Sequence, residues 1–164
     1  MTKLPTQFSD WFATRGWSIH DHQQQMLDKA DAAALLLIAP TGGGKTLAGF
    51  LPSLIDLATA PRQGLHTIYI SPLKALADDI KRNLSTPVTE MGLPVRIEDR
   101  TGDTSSSRKR RQRADPPHIL LTTPESLALL ISYEDAPRIF AGLQRIVIDE
   151  IHALADSKLS LIHI

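Results

Sequence analysis

The 164-residue chain has no cysteine. That excludes disulfides and thiolate metal sites. It also lacks an excess of charge of either sign: 18 Lys and Arg balance 18 Asp and Glu, for a formal net charge of zero. No overall positive field steers an anionic ligand, so any nucleic-acid site must be a local patch. Long apolar runs are missing, and those present are far too short for a membrane span. The first residues show no basic-then-apolar signal pattern, so a cytoplasmic location with no membrane partner is expected. What remains is ordinary for a soluble globular protein, 42% apolar and 22% charged. The length suits one domain able to bury about two thirds of its unfolded surface.

The most informative segment is Ala39-Pro40-Thr41-Gly42-Gly43-Gly44-Lys45-Thr46. It follows an apolar run, Leu35 to Ile38, that reads as a strand, and it precedes a helix expected from Leu47 to Ala58. Strand, glycine-rich loop and helix in that order form a phosphate-binding P-loop. Glycines Gly42, Gly43 and Gly44 let backbone N–H groups converge on phosphate oxygens, because no Cβ stands in the way. The helix start adds its positive dipole end there. Lys45 is expected to reach the β- and γ-phosphates of ATP, and the Thr46 hydroxyl to ligate Mg²⁺. The common pattern opens with Gly where this chain has Ala39.

Strand and helix signals alternate along the chain. Phe8, Trp11 and Phe12 fall at i, i+3 and i+4 of a helix ending at Gly16, and a second helix carries Gln23, Met26, Leu27 and Ala30. Pro52 inside the P-loop helix is expected to kink it. Strands are expected at Leu35 to Ile38, Thr67 to Ile70, around Val95 and Ile97, at Ile119 to Thr122 and at Ile146 to Ile148. Helices are expected at Leu73 to Leu84 and about Glu125 to Ile131, with loops at Ala60 to Leu65 and Thr101 to Ser107. Five strand runs separated by helices predict an α/β fold, a parallel sheet covered by helices on both faces.

The last of those runs leads into Asp149-Glu150-Ile151-His152. A buried strand ending in two adjacent acids complements a P-loop. Asp149 is expected to hold Mg²⁺, usually through water, and Glu150 to orient and polarise the attacking water. Both motifs then sit at the carboxyl edge of one sheet.

Taken together, Ala39 to Thr46 and Asp149 to His152 resemble the superfamily 2 helicases with a DExH box, in which Ala39 is the usual form. Ser71-Pro72-Leu73-Lys74-Ala75-Leu76, Thr101-Gly102-Asp103 and Thr122-Thr123-Pro124-Glu125-Ser126-Leu127 are similar to that group's strand-contacting motifs. Trp11 to Trp17, His22-Gln23 and Gly64 to Ile70 resemble the Lhr-like helicases, and among them the bacterial ligase-associated DEXH-box branch. The likeness runs from Leu4 to about Lys158.

The resemblance implies a RecA-like domain, ATP hydrolysis with Lys45, Asp149 and Glu150 as the catalytic groups, and a DNA-repair setting near an ATP-dependent DNA ligase and a nuclease. It implies that Gln23 reads the adenine edge and that Thr41 lies in the nucleotide loop. It implies that His152 couples nucleotide state to motion. Ser71, Pro72, Lys74, Thr101, Gly102, Thr123 and Pro124 would track the backbone of one nucleic-acid strand, DNA by family. Trp17 is open to two readings, packing near the base or within the first helix's core.

The run Arg108-Lys109-Arg110-Arg111-Gln112-Arg113 is the largest charge cluster. It reads either as a nucleic-acid contact or as a solvated helix face. Residues 1–33 are expected to hold the N-terminal helices with the adenine-reading motif, and 34–158 the first RecA-like domain. Residues 159–164, Leu159 to Ile164, depart from resembling sequences and read as an appended tail, with a genuine apolar strand as the alternative. A second RecA-like domain is not expected within this chain. Three other readings stay open: an RNA-acting helicase, a non-motor P-loop ATPase or kinase, and a nucleotide-binding module alone.

Overall fold

The computed structural model describes residues 2–38 and 42–151. Its elements run α1 (Thr6–Thr14), α2 (Asp21–Asp28), α3 (Lys45–Thr59), β1 (Thr67–Ile70), α4 (Lys74–Glu90), β2 (Ile97–Arg100), α5 (Ser106–Ala114), β3 (Ile119–Thr122), α6 (Pro124–Ile131), α7 (Ala136–Phe140) and β4 (Arg145–Ile148). The chain divides into two compact units, Met1–Arg62 with Arg82–Val95, and Gln63–Lys81 with Arg96–Ile164.

In the first unit, α1 buries the expected stripe of Phe8, Trp11 and Phe12. Gly16 ends it by adopting a left-handed φ of 66°, a conformation that costs glycine little. The Trp11 indole donates to Glu90 Oε2 at 2.7 Å, and Arg15 Nε reaches the same oxygen at 3.0 Å. Helix α2 packs on α3, whose buried face carries Ala48, Phe50, Leu51, Leu54 and Leu57. Helix α3 continues through Pro52, which is itself buried.

The second unit is built on a four-stranded parallel sheet in the order β2-β3-β1-β4. In register, Glu98, Leu120, Ile68 and Ile146 line up across it, as do Arg100, Thr122, Ile70 and Ile148. Ile68 and Leu120 of that face are sealed by Leu130 of α6 and Ile139 of α7, with Leu127 and Phe140 packed beside them. On the opposite face Ile119, Leu121 and Tyr69 are also buried. At the β4 edge Ile146 and Ile148 stay exposed.

Two sequence expectations are corrected. The run Leu35 to Ile38 forms no strand, and Leu35, Leu36 and Ile38 are exposed, so the sheet has four described strands and not five. Strand structure is a property of pairing, and a four-residue apolar run specifies burial without specifying a ladder partner. The loop expected to reach Ser107 ends sooner. Ser105 caps α5 by accepting from Arg108 N at 3.3 Å, which brings Ser106 and Ser107 into the helix. The proposed tail, Leu159 to Ile164, lies outside the described residues.

Candidate nucleotide and strand-contacting site

The first unit holds the phosphate loop. Gly42 and Gly44 have φ of 81° and 72°, so the chain turns through two left-handed glycines before α3 starts at Lys45. A Cβ on Gly44 would stand 2.8 Å from Gln23 Nε2, so any side chain here would have to displace that amide as well as adopt a left-handed dihedral. Lys45 is exposed and has no partner among the described residues, and Thr46, half-buried, follows it in the first turn. Free N–H groups at a helix start together with an unpaired ammonium make an anion site.

Gln23 is 2% exposed and both ends of its amide are engaged. Its Oε1 accepts from His20 N at 2.9 Å, and its Nε2 donates to Gly44 O at 3.3 Å. The residue expected to read adenine therefore also braces the phosphate loop, a role its position 21 residues upstream did not reveal. Trp17 is half-exposed, edge-on to Trp11 at 5.8 Å, and lies under the Arg15 guanidinium at 5.0 Å. Thr41 and His152 lie outside the described residues.

The second unit gathers the remaining candidates at one edge. Because its strands are parallel, the segments after β1, β2, β3 and β4 all leave from their carboxyl ends. Asp149 is fixed there by three bonds. Its N donates to Ile70 O at 3.0 Å, its Oδ1 accepts from Glu150 N at 2.9 Å, and its Oδ2 accepts from the Tyr69 hydroxyl at 2.8 Å. Burial, then the bond to Asp149, pushes the Tyr69 phenol well above its ordinary pKa, so it remains a donor. Tyr69 is a site residue that sequence reasoning missed. Its signal was a polar-tipped ring in an otherwise aliphatic strand. Glu150 has a left-handed φ of 51°, a strained conformation for a residue with a Cβ.

The strand-contacting candidates divide by accessibility. Ser71 is fully buried, and its Oγ accepts from Leu73 N at 3.3 Å. Thr123 caps α6, accepting from Ser126 N at 3.4 Å ahead of Pro124 at the first helical position. Thr101 is buried in a turn closed by Thr104, whose Oγ1 accepts from Thr101 N at 2.9 Å. These three hydroxyl-bearing residues shape the loops. The exposed groups are Gly102 and Lys74, and the Lys74 ammonium is ion-paired with Asp103.

The donor set suits Mg²⁺. Among the described residues no cluster of three or more metal-ligating side chains exists. Mg²⁺ at a nucleotide needs none, since one or two protein oxygens, phosphates and waters complete its shell. The Thr46 hydroxyl in the first unit and the Asp149 carboxylate in the second are each oxygen donors of the kind Mg²⁺ takes.

A parallel sheet with an Asp-Glu pair at its carboxyl edge, in a chain whose third helix opens from a glycine turn, is the RecA-like arrangement of a P-loop protein. Residues 20–162 match the DEAD/DEAH box helicase family, and the chain belongs to that family. It is 44% identical over 136 residues to the Lhr helicase/probable uracil glycosylase of Mycolicibacterium smegmatis, covering 75% of this chain and 9% of that protein. It is 34% identical over 171 residues to the ATP-dependent helicase Lhr-Core of Methanocaldococcus jannaschii, covering 94% of this chain and 20% of the relative. The structure of Mycobacterium smegmatis helicase Lhr bound to ssDNA and AMP-PNP matches with a TM-score of 0.82 at 38% identity, over 93% of this chain and 21% of that one. The chain thus spans between 9% and 21% of the length of these relatives. No described helix is long and apolar enough to cross a membrane.

Proposed function

We propose that this chain is the ATP-binding part of a DNA helicase motor, in which hydrolysis is coupled to movement along one strand. One observation carries the reading. Lys45 stands exposed, with no partner among the described residues, after two left-handed glycines in a chain whose Asp149 carboxylate is bonded by Tyr69 and the Glu150 amide. The glycine turn and the start of α3 bind the phosphates, and Lys45 neutralises the terminal ones. Bound Mg²⁺ would draw charge from the γ-phosphate oxygens; Thr46 and Asp149 would hold it. Glu150 orients a water and takes up its proton as the new P–O bond forms and the bond to ADP breaks.

Support for DNA comes from relatives: the Lhr structure holds ssDNA, and that of the helicase MrfA, 30% identical with a TM-score of 0.81, is bound to DNA and AMPPNP. Support for a DNA-repair setting beside an ATP-dependent ligase and a nuclease is the resemblance of Trp11 to Trp17, His22-Gln23 and Gly64 to Ile70; support for a cytoplasmic location is the lack of a signal-like pattern in the first residues. The test is a titration of fluorescent Mg·ATP against this chain and Lys45→Ala. The ammonium's charge-assisted bonds are worth about 1.5–3 kcal/mol, so affinity should fall at least tenfold. Equal affinity would overturn the phosphate-loop reading.

A further inference from the structure

The basic helix α5 has two faces, and only one of them meets the acids of β2. Arg108, Arg111 and Gln112 stand at i, i+3 and i+4, a spacing that puts them on one side. That side meets the acids of β2. Arg108 donates to Asp99 Oδ1 at 2.9 Å, Arg111 to Glu98 Oε2 at 2.5 Å, and Gln112 to Glu98 Oε2 at 3.0 Å. Ser106, Lys109, Arg110 and Arg113 recur at i, i+3, i+4 and i+7 on another side. Together with Tyr133 they line a groove of about 260 Å³.

The cations of this groove are unequally compensated. Arg113 is held by Asp135 Oδ1 at 2.7 Å and lies 3.8 Å above the Tyr133 ring. Among the described residues the Lys109 ammonium donates only to a neutral atom, Gly102 O, at 3.1 Å. Arg110 is exposed and has no partner among the described residues. Against α5 lies Arg100, 2% exposed. Its Nη1 donates to two neutral oxygens, Lys109 O at 3.1 Å and Gln112 Oε1 at 3.3 Å, and its Nε has no hydrogen bond. Burial draws the Arg100 guanidinium below the usual arginine pKa; Tyr133, by its charge and a hydrogen bond, pulls it back up, and the nearby charge of Arg113 lowers it further. A buried cation next to a concave surface raises the positive potential there more than the same charge in water.

We propose that the groove formed by Ser106, Lys109 and Arg110 binds phosphodiester groups of the same nucleic-acid strand that meets the Gly102 loop. The inference rests on the strand-contacting role given to that loop. The groove is continuous with it: Ser105 caps α5 directly after the loop, and Lys109 is bonded to Gly102. Its chemistry is almost wholly that of a donor, with a guanidinium fork, an ammonium and a hydroxyl, which suits phosphate oxygens. It has no Asn or Gln amide to read a base edge, so its contacts would position a strand without selecting sequence.

The test measures binding of labelled oligothymidylate to the chain over a range of KCl concentrations, with Arg110→Gln, the double variant Lys109→Gln/Arg110→Gln, and Lys74→Gln as a probe of the loop edge. Each lost phosphate contact on a single strand should lower the slope of log K against log salt by about 0.7. The double variant should lose about 1.4 in slope and roughly tenfold in low-salt affinity. Arg110→Gln should keep the wild-type unfolding midpoint, since it breaks no bond. An unchanged slope in both groove variants overturns the proposal. If the groove variants lose slope and Lys74→Gln does not, the groove stands and the loop-edge reading falls; the reverse pattern spares the loop edge and removes the groove. No binding by the wild-type chain at the lowest salt overturns both. A glutamate-rich peptide is titrated alongside, and if Arg110→Gln weakens the peptide but not the oligonucleotide, the groove serves an acidic protein and the proposal fails.

Discussion

The Tyr69 hydroxyl donates a 2.8 Å hydrogen bond to Asp149 Oδ2 across the β1–β4 pair. Register places Tyr69 opposite Val147, two residues before the acid it holds. Tyr69 is 1% exposed, so the phenol has no room to turn away from Asp149. One carboxylate oxygen is fixed by the phenol and the other by the Glu150 amide, which sets the orientation of the carboxylate.

Tyr69→Phe keeps the ring packing and removes that bond. The stability loss should be about 1 kcal/mol, typical of one neutral donor on a charged acceptor that water can still reach. The larger effect should be on Mg²⁺. Nucleotide binding without Mg²⁺ should be unchanged, and the Mg²⁺ concentration for half-maximal enhancement should rise several-fold. Titrating MgCl₂ at fixed ATP analogue measures this, and an unaltered Mg²⁺ midpoint would show that Tyr69 only fills space.

Gly44→Ala should be costly. The left-handed φ of 72° alone costs a residue with a Cβ about 1–2 kcal/mol. The new methyl also lands 2.8 Å from Gln23 Nε2 and must displace the amide. Gly102→Ala is the control, because nothing lies within 4 Å of its Cβ position and its φ is not left-handed. Urea unfolding should separate the two, with Gly44→Ala clearly destabilised and Gly102→Ala close to wild type.

The acid limb of stability should depend on Asp99. Burial pushes its carboxyl up, but the bonds and charges of Lys81 and Arg108 outweigh burial and hold it below 3.8. A carboxylate depressed in the fold stabilises it at pH values above the unfolded pKa. That contribution is lost as pH falls through about 3.8 towards the folded value. Wild-type stability should therefore decline below pH 4, and Asp99→Asn should show a flatter decline from a lower plateau. Urea midpoints from pH 6 to pH 2 would test it. Parallel curves would assign the acid sensitivity to other carboxylates.

Strands β1, β3 and β4 were legible because each is a short, mainly aliphatic run bounded by breakers, and their burial in a parallel sheet needs no alternation. Leu35 to Ile38 has the same composition and is not a strand, since composition reports the wish to be buried and not the partner. The basic run was ambiguous for a related reason. Its charges divide between structure and surface by helical phase against Glu98 and Asp99, acids that lie nine or more residues upstream and whose proximity only the β2–α5 packing creates. Gly44 and Lys45 were readable because the dihedral and the charge are local needs. The bracing of Gly44 by Gln23, and of Asp149 by Tyr69, is tertiary and left no spacing to find.

Gln23→Ala tests how far the base contact and the loop brace are one device. If Gln23 served adenine alone, the variant would weaken ATP and leave inorganic triphosphate untouched. The 3.3 Å bond from its Nε2 to Gly44 O predicts a different outcome. Loss of the brace loosens the turn proposed to bind the phosphates, so triphosphate affinity should fall too, by about tenfold for a loss on the order of 1.4 kcal/mol. Any further loss seen with ATP over triphosphate measures the adenine contact. The two ligands are titrated by calorimetry against wild type and variant at fixed Mg²⁺. Unchanged triphosphate affinity would mean that Gly44, still anchored by Ala48 N at 3.0 Å, holds its turn without help. Equal losses for both ligands would assign Gln23 to the loop and remove it from base recognition.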